Sequence, residues 1–385
     1  MLEGAWAAAR NLLLVRLDNI GDVVLLSAAL RTVKENLPSA RATLLAGPSG
    51  SQAASLLPWI DDVKVWKALW QDVGGQMPLD PARELELVRF LEQRRFDAAI
   101  IFTSFSQSPH GAAYACYLAG IPLRLGESKE FGGGLLTTEL RNVPDDLYQA
   151  ERAIQLLEHV GFEASDRCPR VAVPARARLA SRGLLARLGI QRGEPYLVVQ
   201  PGASCQARRY PLERFAEVAR LLHQRLGMPV LLPGSAKEAP DIEAAADRSA
   251  GLFSIAGRTR VEELAALVEG AAAVVCNDSL PMHFCAALAV PCVVLFSGTD
   301  LEGQWRSPYS PMRLLRRETP CSPCYLFRCR CSLECLDISP TEVALEVEAM
   351  LSRPQDAVSL PVDELGTASE TRFPLDTPRG AEVAP

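Results

Sequence analysis

Three loops in this 385-residue sequence carry side chains placed for chemistry. The first, RLDNIGDVVLLSAALRTVKE, begins at Arg16 and follows an apolar run, Leu12 to Val15. It sets Asp18 and Asp22 around Gly21. A carboxylate at the mouth of a strand-to-helix turn suits a general base, which takes the proton from a weak nucleophile. The same residue suits a helix N-cap, worth about 0.5–2 kcal/mol, and one Asp can do both. Asp18 reads as a turn residue. Asn19 and Gly21 read as the positions where backbone turns and comes close to a ligand.

The second loop, QPGASCQARRYPLERF, holds Gly202 and Ser204, then Arg208 and Arg209 just ahead of a helix starting at Pro211. Arginines beside a helix N-terminus suit a phosphate or diphosphate. The plainer reading is a solvated basic pair. The third loop, NDSLPMHFCAAL, ends a strand with Asp278 and Ser279 and puts His283 a turn into the next helix. Asp278 also fits a helix cap, and His283 an ordinary helix histidine. Their shared place at a strand's carboxyl end favours ligand contact.

A fourth stretch is CSPCYLFRCRCSLEC, with Cys321, Cys324, Cys329, Cys331 and Cys335. Four thiolates of such a set fit a tetrahedral structural metal. The second half lacks a clean C-x2-C, so reduced or partly disulfide-linked cysteines stiffening a surface loop stay open beside it. The other six cysteines, Cys116, Cys168, Cys205, Cys276, Cys285 and Cys292, read as small buried hydrophobes.

These loops need strands and helices to position them, and the sequence alternates the two. NLLLVRL, ARATLLAG and DAAIIFTSF read as strands, as do PYLVVQPGAS, MPVLLPGS, AAVVCNDS and PCVVLFSGTD. DVVLLSAALRTVKENLP, LYQAERAIQLLEHVGF, PLERFAEVARLLHQRLG and VEELAALVEGA read as helices. DPARELELVRFLEQRRF carries an Asp80 cap with Pro81 at its first position. Such alternation predicts parallel sheets covered by helices on both faces. The pattern lapses between Gly126 and Arg170 and then restarts. That predicts two doubly wound domains, 1–175 and 176–353, with a ligand in the cleft at the strands' carboxyl ends. From about residue 354 the composition turns to Pro, Asp, Glu, Ser and Thr, which predicts a disordered tail over 354–385.

Bulk properties narrow the function classes. A net charge of −6 gives no basic signature for nucleic acid. No apolar run reaches the roughly 18 residues of a membrane span. Met1 to Arg10 lacks the layout of a secretory signal. The expectation is a cytoplasmic protein, with a peripheral contact to a membrane allowed.

The three loops, in this order, resemble glycosyltransferase family 9, the heptosyltransferases of lipopolysaccharide core synthesis. The likeness lies in NIGD of the opening stretch, in VVQPGAS followed by RRYPLERFAEVARLL, and in VCNDSLPMHFCAALAVPCVVLFSGTD. It covers roughly residues 11–350. It implies a GT-B architecture: two Rossmann-like domains facing across a cleft, an acceptor-binding N-terminal half and a nucleotide-sugar-binding C-terminal half. It implies an inverting reaction without a cofactor or catalytic metal, with Asp22 as base. The implied donor is a nucleotide-diphosphate sugar, ADP-heptose foremost. The implied acceptor is a lipid-linked glycan at the inner leaflet. On this reading Arg208 and Arg209 hold the diphosphate, and Gly202, Ser204, Asp278, Ser279, Leu280 and His283 shape the donor site. Two departures stand out. Leu280 replaces the family's usual glycine, and FSGTD, with Ser297 and Gly298, replaces FGPTD. They leave open the exact donor and an idle nucleotide- or glycan-binding relative; the enzyme alternative is a sugar-nucleotide epimerase or hydrolase acting on the donor without an acceptor.

Overall fold

The computed structural model describes residues 2–72 and 74–352. The tail expected to be disordered lies outside them. Among the described residues, twelve strands form two six-stranded sheets. The first contains β1 (Asn11–Arg16), β2 (Arg41–Ala46), β3 (Asp62–Val65), β4 (Ala98–Ile101), β5 (Leu123–Glu127) and β6 (Thr138–Leu140). Its order is β3-β2-β1-β4-β5-β6, and every pairing is parallel. The second contains β7 (Leu197–Gln200), β8 (Val230–Leu232), β9 (Leu252–Ser254), β10 (Ala273–Asn277), β11 (Cys292–Leu295) and β12 (Met312–Leu315). Its order, β12-β11-β10-β7-β8-β9, is the same topology repeated, again all parallel. Both are the doubly wound arrangement with a strand-order switch beside the first strand.

The central strands show why these segments pair. β1 and β10 contain continuous buried apolar runs, residues 12–15 and 273–276, as strands covered on both faces must. The edge strands β3, β6, β9 and β12 are short and only partly buried. β9 and β12 escape the sequence reading, as does the helix His110–Leu118. Three or four residues at a sheet edge leave too little alternation to read.

Four switch-point segments therefore meet the cleft. Residues 17–22 follow β1 and residues 102–107 follow β4. Residues 201–208 follow β7 and residues 278–283 follow β10. One buried apolar cluster runs through both halves, joining Leu12, Val24 and Ile100 with Val198, Met282 and Phe284. The six cysteines expected in the core divide. Cys116, Cys276, Cys285 and Cys292 are buried, whereas Cys168 and Cys205 lie in loops and are only half-buried.

Candidate active site

The loop after β1 is more tightly built than a turn. Asn19, not Asp22, is the N-cap of the helix Ile20–Leu25. Asp22 sits at its third position and completes a capping box, its Oδ2 accepting from the Asn19 N–H at 3.2 Å. The other oxygen, Oδ1, accepts from Arg16 Nη2 at 2.9 Å. Asp18 stands in the turn after β1, and it does more than turn the backbone. Asp18 is buried and ion-paired, its Oδ2 2.9 Å from Arg16 Nε, and Gln107 donates to its Oδ1. Ser104 Oγ accepts from the same Arg16 Nη2 at 2.9 Å. Burial opposes the Arg16 charge, but the two carboxylates outweigh it and raise its pKa. Burial raises the Asp18 carboxyl as well, against the pull of Arg16.

Gly21 is helical, so conformational freedom is not what it provides. A Cβ there would overlap the His283 ring, 2.4 Å from its Cδ2. The helices Ile20–Leu25 and Leu280–Leu288 thus close on each other through a missing methyl. His283 is buried, its ring centroid 5.8 Å from that of Trp305. Burial and the nearby Arg208 hold its pKa down at about 3, so it is neutral. Its Nδ1 has no hydrogen-bond partner.

On the opposite wall, Arg208 is held by three oxygens. Its Nη2 lies 2.6 Å from Asp300 Oδ2, its Nε donates to Thr299 Oγ1 at 3.1 Å, and Asp278 Oδ2 lies 3.5 Å from Nε. Burial opposes this charge too, and Asp278 and Asp300 overcome it and push the pKa up. Burial lifts the Asp278 carboxyl to about 6 against the pull of Arg208. Ser279, not Asp278, is the N-cap of the helix that follows.

A cavity of about 260 Å³ lies between the walls. Asn19, Gly21 and Asp22 line it from one half; Gly202, Ser204, Arg208, Asp278, Ser279, Leu280 and His283 line it from the other. Arg209 is not among the lining residues. Its Nε and Nη2 donate to the Ala203 carbonyl at 3.1 and 2.9 Å, so it braces the loop from behind. Leu280 is half-buried and packs on the core while lining the cavity. Gly202 lies close to the Glu238 carboxylate, which a Cβ would meet at 2.9 Å and push aside.

Glu238, Ser235 and Trp305 also line the cavity and are absent from the sequence reading. The PGSAKEA loop after β8 repeats the strand–loop pattern of the other three and was the available signal for Glu238. Trp305, in a four-residue helix, had none.

The cysteine stretch backs this wall. Cys324 N–H donates to the Gly298 carbonyl at 3.0 Å and Tyr325 N–H to Thr299 at 2.8 Å. Ala207 N–H donates to Phe327 at 3.2 Å. A Cβ at Gly298 would lie 3.2 Å from Ser322 and 3.4 Å from Cys335, so the cysteine stretch packs closely on this glycine. The Tyr325 ring meets Phe105 of the other half, centroids 5.4 Å apart. All five thiols are free. Among the described residues no three metal-ligating side chains are grouped to hold an ion.

The sequence model described as Glycosyltransferase family 9 (heptosyltransferase) matches residues 85–336. The chain is 27% identical over 290 residues to lipopolysaccharide heptosyltransferase 2 of Salmonella typhimurium, covering 72% of this chain and 80% of that one. Its fold is similar to E. coli ADP-heptose lps heptosyltransferase II, with TM-score 0.67, 24% identity, and 89% and 98% of the two chains covered. It is also similar to E. coli heptosyltransferase WaaC with ADP-2-deoxy-2-fluoro heptose, with TM-score 0.65, 18% identity, and 88% and 99% covered. The two facing sheets are the GT-B architecture of these structures.

Proposed function

Because the chain belongs to glycosyltransferase family 9, we propose that it transfers heptose from ADP-heptose to a lipopolysaccharide-core or related lipid-linked glycan, with inversion and with Asp22 as general base. The observation that carries this reading is Asp22 facing the Arg208 wall across one small cavity. An acceptor hydroxyl there attacks the anomeric carbon of the donor. The carbon–oxygen bond to the diphosphate breaks, and the nucleoside diphosphate leaves with the electron pair. Asp22 takes the hydroxyl proton. One carboxylate suffices, since inversion needs no covalent sugar–enzyme intermediate. Asp22 is anchored through both oxygens, and each keeps a lone pair free.

The leaving diphosphate needs positive charge rather than a proton. Arg208 and the N-terminus of the helix Leu280–Leu288 supply it, which lets the step run without a metal. Arg209 is withdrawn from this role because it is engaged with Ala203. In this scheme residues 1–175 bind the acceptor and residues 176–353 the donor. Exposed Leu79 and Phe131, both in loops of the first half, suit an acceptor with a lipid anchor and a peripheral contact with the membrane that holds it. Among the described residues no helix is long and apolar enough to cross a membrane.

The test is transfer from ADP-heptose to a heptose-deficient core acceptor, beside calorimetric titration with ADP, UDP and GDP. The expected result is transfer and selective ADP binding. Asp22→Asn should lower kcat by about 10²–10⁴-fold and leave ADP affinity within about twofold of wild type. Full activity in that variant removes Asp22 as base, and selective UDP binding moves the donor to another nucleotide.

A further inference from the structure

We propose that Arg16 and Asp18 are a positioning pair for Asp22, in which Arg16 fixes the carboxylate and Asp18 cancels the arginine's charge so that the carboxylate can still accept a proton. The inference rests on the reading of Asp22 as base and names how that base is held and kept competent.

The geometry is specific. Arg16 ends β1 with its side chain almost wholly buried and bridges the two carboxylates, Nε to Asp18 and Nη2 to Asp22, each at 2.9 Å. Ser104 and Gln107, from the neighbouring switch-point loop, grip the other ends of the pair. Asp18 is less exposed than Asp22, at 8% against 13%, and lies outside the cavity lining. It is therefore placed to act on Asp22 through Arg16 and not on a substrate.

Charge counting gives Asp18 its purpose. An arginine bonded to a base orients it and also weakens it, because proton capture then leaves a buried cation without a partner. With Asp18 present, the cluster of Arg16, Asp18 and Asp22 carries −1 before the proton arrives and is neutral afterwards. Without Asp18 it would start neutral and end at +1 in a buried site. The other charged or titratable groups facing this cluster are few. Glu127, near Arg16, is paired with Arg152. Asp278 lies across the cleft, with Arg208 attached to it. His283, packed on Gly21, is neutral. None of them offsets Arg16 as Asp18 does.

The test is the pH dependence of kcat in Asp18→Asn and Arg16→Gln, read beside ADP affinity and thermal stability. Asp18→Asn leaves the full guanidinium charge on Asp22. The acidic limb should move to lower pH by on the order of one unit, and the plateau should fall at least about tenfold. Arg16→Gln leaves two carboxylates with no cation between them, so its acidic limb should move the opposite way. Arg16→Lys keeps the charge without the bridge, so kcat should fall while the limb stays near its wild-type position. A loss of packing alone would not shift the two limbs in opposite senses. If Arg16→Gln does not fold, the downward shift in Asp18→Asn is still required. Unmoved limbs, with Asp22→Asn inactive, overturn the positioning pair and leave the base assignment standing. An active Asp22→Asn removes the base assignment itself.

Discussion

His283 and Asp278 are neighbours whose charges answer burial in opposite ways. The histidine's pKa falls from 6.5 to about 3, so it is buried neutral. Its contribution to stability is complete above 6.5 and is lost as pH falls toward 3. The Asp278 carboxyl rises from 3.8 to about 6. It contributes stability below 3.8 that is lost as pH rises through 6, so the two oppose each other in the window between. Replacing His283 with Gln removes only the histidine's share. Stability at about pH 4.5, relative to about pH 7.5, should then improve by about 2 kcal/mol over wild type. Urea unfolding of both proteins at the two pH values measures it, and an unchanged difference would remove His283 from the acid response. At this scale the chemistry-bearing residue types were legible, because Asp22, Arg208, Asp278 and His283 stand in the loops and first helical turns that follow strands. Their partners were not. Nothing local to Asp18 announces Gln107, eighty-nine positions away, and nothing local to Arg209 tells that its guanidinium folds back on Ala203.

Short helices set these side chains, and their ends decide which residue does what. Asn19 takes the cap, which moves Asp22 one turn inward and leaves its carboxylate facing the cavity. The sequence pattern suggested one helix from Asp22 to Pro38. The structure starts it at Ile20 and divides it at Leu26, between Ile20–Leu25 and Ser27–Asn36. Periodicity shows that a helix exists but locates its first turn poorly. The contact between Gly21 and His283 gives an element-scale prediction. Gly21→Ala inserts a methyl into the ring and should destabilise by about 1–3 kcal/mol. In a His283→Ser background the same methyl should cost less than about 0.5 kcal/mol, a coupling that a double-mutant cycle in urea reads directly. Equal costs in both backgrounds would mean that the helices relax around the methyl.

The whole molecule is one topology used twice, and this was the most legible feature because alternation of strand and helix survives errors at every boundary. The less legible part was how the halves join. The apolar cluster shared by Leu12, Val24, Met282 and Phe284 runs from one half into the other. Calorimetry of the free protein should accordingly show one unfolding transition. ADP at about one hundred times its Kd should raise stability by about 2.7 kcal/mol without splitting that transition. Two separated transitions would mean that the halves unfold independently. A smaller bridge has a consequence of another kind. The ring contact between Phe105 and Tyr325 links the segment that grips Arg16 and Asp18 to the segment bonded to Thr299, beside Arg208. If nucleotide on one wall shifts that contact and so improves the other wall's hold on acceptor, the favour is reciprocal. The acceptor must improve nucleotide affinity by the same factor, whichever substrate arrives first.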